Sequence, residues 1–248
     1  MTLLTIIQDV ADELTLQRPT SVIGNTDQTV TQLLALLNRE GQNLAKLVNT
    51  YGGTWTILEK VHTFTTTSGE DEYALPDDYG WLLSDSVWDR TSFWEMRGPL
   101  SPGQWQSFRS GLSSSAAIRR KYRLRRTTTA NSKTRSFSIE PEPTATGDTL
   151  VFEYATKEWV ARSQSSAFDT KFTDDDSDEA LLDEDLLEMG LIWRWKKAKG
   201  LNFAPDLAEY EIQRDIRMSQ DPTSTRLPLA KGRRRFFPGN VPETGFGV

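Results

Sequence analysis

The chain has 248 residues, 37% of them hydrophobic, with no cysteine, one histidine and a net charge of −6. That length holds one large domain or two modest ones around a real core. The missing cysteines exclude disulfides and thiolate metal sites, the single histidine excludes a two-His metal centre, and the acidic balance argues against a chain that coats nucleic acid along its whole length.

Residues 2–16 are predicted as an amphipathic helix. Leu3, Leu4, Ile6, Ile7, Val10 and Leu14 recur at helical spacing, with Asp9, Asp12 and Glu13 opposite. No basic stretch precedes the apolar positions, and Asp9 comes too early for a signal peptide. No run approaches the roughly 18 apolar residues that span a bilayer. Pro19 ends the first helix, because the residue before proline avoids the helical region. Asp27 is placed to cap a second helix over 28–50, whose stripe is Val30, Leu33, Leu34, Leu37, Leu44, Leu47 and Val48. Tyr51-Gly52-Gly53 stops it.

From Trp55 to about Val160 the period changes to short strands, predicted at 61–67, 72–75, 82–89, 118–125, 135–140 and 149–155. The stretch 64–108 carries Tyr73, Trp81, Trp88, Phe93, Trp94 and Trp105 between turn signals, a pattern of β-hairpins packed for structure. Ser101-Pro102 opens a short helix, with the serine as cap and the proline at the first helical position. A polar linker covers 161–173. One helix then spans about 178–198 and another 205–219, separated by Gly200 and Pro205. The tail from 221 holds Pro222, Pro228, Pro238 and Pro242 and should form no regular structure of its own.

These elements give an α+β fold: a helical bundle domain from both chain ends (1–54 and 170–220), an inserted antiparallel β domain (55–165), and an extended C-terminal arm (221–248).

Few residues invite chemistry. His62 lies within a predicted strand, where a structural or surface role is expected. Asp174, Asp176 and Asp178 occupy the first, third and fifth positions of a calcium loop. Glu179 then stands where the sharp turn needs glycine, and Asp185 where a bidentate glutamate belongs. The simpler account is that these carboxylates gather at a helix N-terminus. No catalytic residue, cofactor or metal ligand is assigned.

Two basic segments invite contacts. On a strand, Arg119, Lys121, Arg123 and Arg125 share one face, and Arg120, Tyr122, Leu124 and Arg126 the other. That pattern fits an edge strand with deterrent charge, a contact with an acidic neighbouring subunit, or a contact with DNA phosphates. In the tail, Arg233, Arg234 and Arg235 precede Phe236 and Phe237. Arginine and aromatics anchor interfaces, so this segment reads as an arm that orders on a partner.

Several phrases resemble the head-to-tail adaptor proteins of tailed bacteriophages, related in layout to the tail tubular proteins of short-tailed phages. They are Arg18-Pro19-Thr20-Ser21-Val22-Ile23-Gly24, Asn38-Arg39-Glu40-Gly41, Phe64-Thr65-Thr66-Thr67, Tyr73-Ala74-Leu75-Pro76-Asp77-Asp78-Tyr79, Val87-Trp88-Asp89-Arg90-Thr91, Arg97-Gly98-Pro99-Leu100-Ser101-Pro102 with Gln104-Trp105, Gly147-Asp148-Thr149-Leu150 to Glu153-Tyr154, and Gly190-Leu191-Ile192-Trp193-Arg194-Trp195-Lys196. The resemblance implies a virion structural protein without enzymatic activity, made in the host cytoplasm. It implies a homo-oligomeric ring of twelve copies around the DNA channel, a C-terminal arm docked on the portal, and tail or nozzle proteins below. DNA would pass without specific binding, and no membrane is involved. A head-completion or tail-tube subunit is the nearest alternative; a DNA-binding module using residues 119–126 and a carboxylate-dependent hydrolase are more distant ones.

Overall fold

Helix α1 (Leu3–Glu13) starts where Thr2 and Thr5 cap each other's backbone N–H groups. It buries Leu3, Ile6, Ile7, Val10 and Ala11 and stops three residues sooner than its apolar spacing suggests, because Leu14 leaves the helix and Thr15 turns to φ 55°. Helix α2 (Gln28–Leu44) is capped by the Asp27 carboxylate, which accepts from the Thr29 N–H at 2.7 Å. The computed structural model describes residues 1–47, 54–111, 119–126 and 135–221.

The middle of the chain forms β1 (Glu59–Thr65), β2 (Glu72–Ala74), β3 (Tyr79–Leu82), β4 (Trp88–Asp89), β5 (Trp94–Glu95), helix α3 (Pro102–Arg109), β6 (Lys121–Arg126), β7 (Arg135–Glu140) and β8 (Thr149–Thr156). Strand β8 is the hub. One edge pairs antiparallel with all of β1, from Glu59 opposite Ala155 to Thr65 opposite Thr149. Its other edge takes β3 and then β4, which carries β5. A second antiparallel sheet has the order β2-β7-β6. The predicted strand 82–89 is two strands, because Asp85 turns the chain at φ 59° between them. Leu150, Phe152 and Tyr154 alternate inward from β8 and meet Tyr122, Phe137 and Ile139 of the second sheet. The rings stack: Tyr122 on Phe137 at 5.1 Å and Phe137 on Phe152 at 5.3 Å. Trp105 belongs to α3, which has the expected Ser101 cap and Pro102 at its start.

The stretch read as a polar linker holds more structure. It contributes to β9 (Val160–Ala161), which lies between β10 (Phe168–Asp169) and β11 (Glu179–Ala180). Two-residue strands carry no readable period. Helix α4 (Glu184–Ala198) follows, then α5 (Ala204–Gln220). Helices α1, α2 and α5 all pack on α4, which explains why its apolar residues are not confined to one stripe. This second core also takes in Trp55, Leu58, Trp159, Val160 and Phe172. The overall class is therefore α+β, with helices from both ends of the chain packed together and antiparallel sheets between them.

Glycine is required where α2 meets Trp159. A Cβ on Gly41 would lie 2.1 Å from the ring, and the fully buried indole is held by its N–H donating to the Thr170 carbonyl at 2.8 Å. Gly41→Ala should destabilise the subunit by about 3 kcal/mol through overpacking. A lowered thermal midpoint with red-shifted tryptophan emission is the expected readout. An unchanged melt would mean that Trp159 can move aside at little cost.

Candidate interaction surfaces

Strand β6 is an edge strand, and Tyr122 points into the β core, 2% exposed. Arg97-Gly98-Pro99-Leu100 lies along part of its outer edge: the Tyr122 N–H donates to Arg97, and the Leu100 N–H donates to Tyr122. Gly98 permits this approach, since a Cβ there would sit 2.5 Å from the Tyr122 carbonyl oxygen. At Leu124 the same edge has no strand partner among the described residues.

The basic residues of this segment are largely occupied within the subunit. The Lys121 ammonium sits 3.3 Å from the centre of the Phe108 ring. Arg119 lies 4.4 Å over Trp94. Arg125 donates to Ser138 at 2.8 Å and pairs with Glu72 at 3.3 Å. Arg123 makes no ion pair with any described residue. Arg120, on the other face, joins Asp89 at 2.9 Å and also Asp148. Of residues 119, 121, 123 and 125, three thus have partners within the subunit, which alternation alone does not reveal. Acidic and aromatic partners come to these three from other elements of the fold.

Beside this strand, the β4–β5 turn presents apolar surface. Asp89 fixes the turn by accepting from the Thr91 N–H at 3.1 Å and the Ser92 N–H at 2.9 Å. Phe93 at the tip has φ 57° and is 68% exposed, and Trp94 is 40% exposed. A hollow of about 500 Å³ lies between Trp88, Phe93, Arg90, Val151 and Glu153. These tip aromatics are not packed as the hairpin pattern predicts. The turn holds them outward.

His62 packs 5.1 Å from Phe152 and 5.7 Å from Phe64, and partial burial lowers its pKa. The acidic run is a loop rather than a helix start, and α4 begins at Glu184 behind its own cap, Asp183. The reason is long-range. Asp176 accepts from the Val22 and Ile23 N–H groups at 3.0 and 2.7 Å. Asp178, 2% exposed, accepts from the Ser163 N–H at 3.0 Å. These bonds and strand β11 hold the backbone extended. The arm residues Arg233, Arg234, Arg235, Phe236 and Phe237 lie outside the described residues.

The model of a family described as SU10 adaptor protein matches residues 1–235. The chain belongs to the SU10 adaptor protein family. It is accordingly a structural adaptor protein of bacteriophage and a component of the virion. No curated protein matches it significantly. None of the described helices is long and apolar enough to cross a membrane.

Several phrases that resemble phage adaptors meet in the cores of this adaptor. Glu40 of α2 is fully buried and accepts from the Arg194 guanidinium of α4 and the Tyr210 hydroxyl of α5. Burial, then the charge of Glu40, holds the Tyr210 hydroxyl protonated far above its ordinary range. Gly190 makes room, since a Cβ there would lie 2.5 Å from the Glu40 side chain. Asn38 clamps Phe172, accepting from its N–H at 2.8 Å and donating to its carbonyl at 3.2 Å. Asp78 ties β1 to β8 by accepting from Lys60 at 2.7 Å and Tyr154 at 2.8 Å. The Glu40 network has a weak sequence signature: a glutamate and a glycine inside an apolar helical stripe, with an arginine inside a Trp-rich helix.

On the α1–α4 face of the adaptor, burial first, then Asp9, Asp185 and Glu13, raises the Glu188 carboxyl to about 7; the Met1 amino group pulls the other way. One Glu188 oxygen is buried without a hydrogen-bond partner among the described residues. Between its ordinary 4.5 and about 7, the folded adaptor holds a proton that the unfolded chain releases. Stability from this group is full below the lower value and falls as pH rises through the upper one. Glu188→Gln should flatten the decline in thermal midpoint between pH 5 and pH 8. Parallel profiles for the two proteins would contradict this.

Proposed function

We propose that this chain is a ring-forming head-to-tail adaptor that docks on the portal and links it to the tail around the DNA channel. The observation that carries the reading is the match of residues 1–235 to a family of adaptor proteins. The geometry supports it in two ways. Carboxylates serve as internal ties: buried Glu40 joins three helices, partly buried Asp78 ties β1 to β8, and buried Asp89 fixes the β4–β5 turn. The exposed apolar residues Val61, Phe93 and Trp94 are then left for contacts outside the subunit.

In this reading the helices of 1–54 and 170–220 form one domain and residues 55–165 an inserted β domain. Copies close a ring by repeating one heterologous interface. Arg123 contributes to the neighbour contact, with Arg119, Lys121 and Arg125 holding the edge of β6 in place. The arm carries Arg233, Arg234 and Arg235 to carboxylates at the portal rim and anchors Phe236 and Phe237 in its pockets. A net acidic wall lets DNA slide past without tight phosphate contacts. The chain catalyses nothing and carries no cofactor.

Phage made without this chain should accumulate DNA-filled heads that lack tails, and supplying the purified adaptor should restore joining. Tailed particles at normal yield in its absence would overturn the proposal.

A further inference from the structure

Helix α5 has two apolar faces, and only one is used. Tyr210 and Met218 are buried, and Leu207 packs against the same core. On the other side Ala208, Ile212 and Ile216 follow at four-residue spacing, with Leu201 just before the helix. Ile212 is 60% exposed, Ile216 41% and Leu201 52%. Carboxylates rim this stripe. Glu209 and Glu211 pair with no described residue, and Asp215 pairs only with the adjacent Arg214.

The chain supplies a matching segment. Its last 27 residues hold Arg226, Lys231, Arg233, Arg234 and Arg235 against the single acid Glu243, while the chain as a whole is at −6. The same segment carries Leu227, Leu229, Phe236 and Phe237. It leaves directly from the end of α5, where Asp221 caps the helix. Helix α5 is about 25 Å long at 1.5 Å per residue, and the 13 residues from Gln220 to Arg233 reach up to ~45 Å. The tail is therefore long enough to double back along the whole stripe.

We propose that in the free subunit the segment 226–237 folds back on its own α5, placing its leucines and phenylalanines on Ala208, Ile212 and Ile216 and its arginines among Glu209, Glu211 and Asp215. The contact shields apolar surface of both elements until another partner takes the tail. It does not depend on the portal reading, since it concerns the subunit alone.

Trypsin tests it on the full chain, because the tail carries its own cleavage sites. Cutting within 226–235 should be at least about tenfold slower than in a synthetic peptide of residues 222–248, since docking withholds the backbone from the protease. The protection should be independent of protein concentration. It should be lost in the Ile212→Asp/Ile216→Asp double variant, and in Glu209→Lys/Glu211→Lys, which alters only exposed charges. A tail cut at the peptide's rate, or protection that survives both variants, would overturn the proposal. Protection that grows with protein concentration would also overturn it, by placing the tail on a second copy.

Discussion

Replacing Glu40 with alanine should lower the stability of the subunit by about 3–5 kcal/mol, the cost of breaking a buried ion pair by removing one partner. Glu40 is 0% exposed, and it is the acceptor for both Arg194 and Tyr210. Without it, a guanidinium only 15% exposed and a buried hydroxyl lose their partner together. In a chain of this size each kcal/mol moves the thermal midpoint by about 2–4 °C, so a calorimetric scan resolves the effect easily. The apolar triple variant Glu40→Leu/Arg194→Met/Tyr210→Phe should recover much of the loss, because a buried pair gains little over well-packed hydrophobic residues. A single-variant loss below 1 kcal/mol would show that water reaches the site, and that the four-helix core is looser than described.

Truncation after Asp221 should leave a folded, soluble subunit that no longer joins heads to tails. Cutting there keeps the Asp221 carboxylate, which accepts from the Thr56 N–H at 3.1 Å and ties the end of α5 to the start of the β region. Among the described residues, both hydrophobic cores are built by side chains lying between Leu3 and Met218. What is lost is Arg233 to Phe237. On a partner, each phenylalanine ring would contribute roughly 1.5–3 kcal/mol of burial before ordering costs. Full-length and truncated adaptor would be compared by complementation, scoring infectious particles. Normal yield from the truncated form would make the arm dispensable and remove the portal-docking role assigned to it.

Local signals in the sequence were legible where the cause of structure is local. The stripe Val30, Leu33, Leu37 and Leu44 lies buried as its spacing requires, and Asp27 and Ser101 cap the helices that follow them. The alternation Leu150, Phe152, Tyr154 faces the β core. The failures have non-local causes. Asp176 bonds to Val22 and Ile23, some 150 residues away in sequence, and this overrides the preference of a carboxylate for a helix start. Strands β9, β10 and β11 are too short for any period. On the basic strand the charged face is present, and Phe108, Trp94 and Glu72 come from other elements to meet three of its cations. The exposed stripe of α5 was readable in principle. Leu201, Ala208, Ile212 and Ile216 are visible in the sequence, yet only the packed helix shows which of its two faces α4 covers.

Electron-microscope class averages of the purified chain, alone and mixed with its portal, test the central claim most directly. The account predicts a closed ring with an open central channel, seated coaxially on the portal. A monomer that neither closes a ring nor associates with the portal would contradict it.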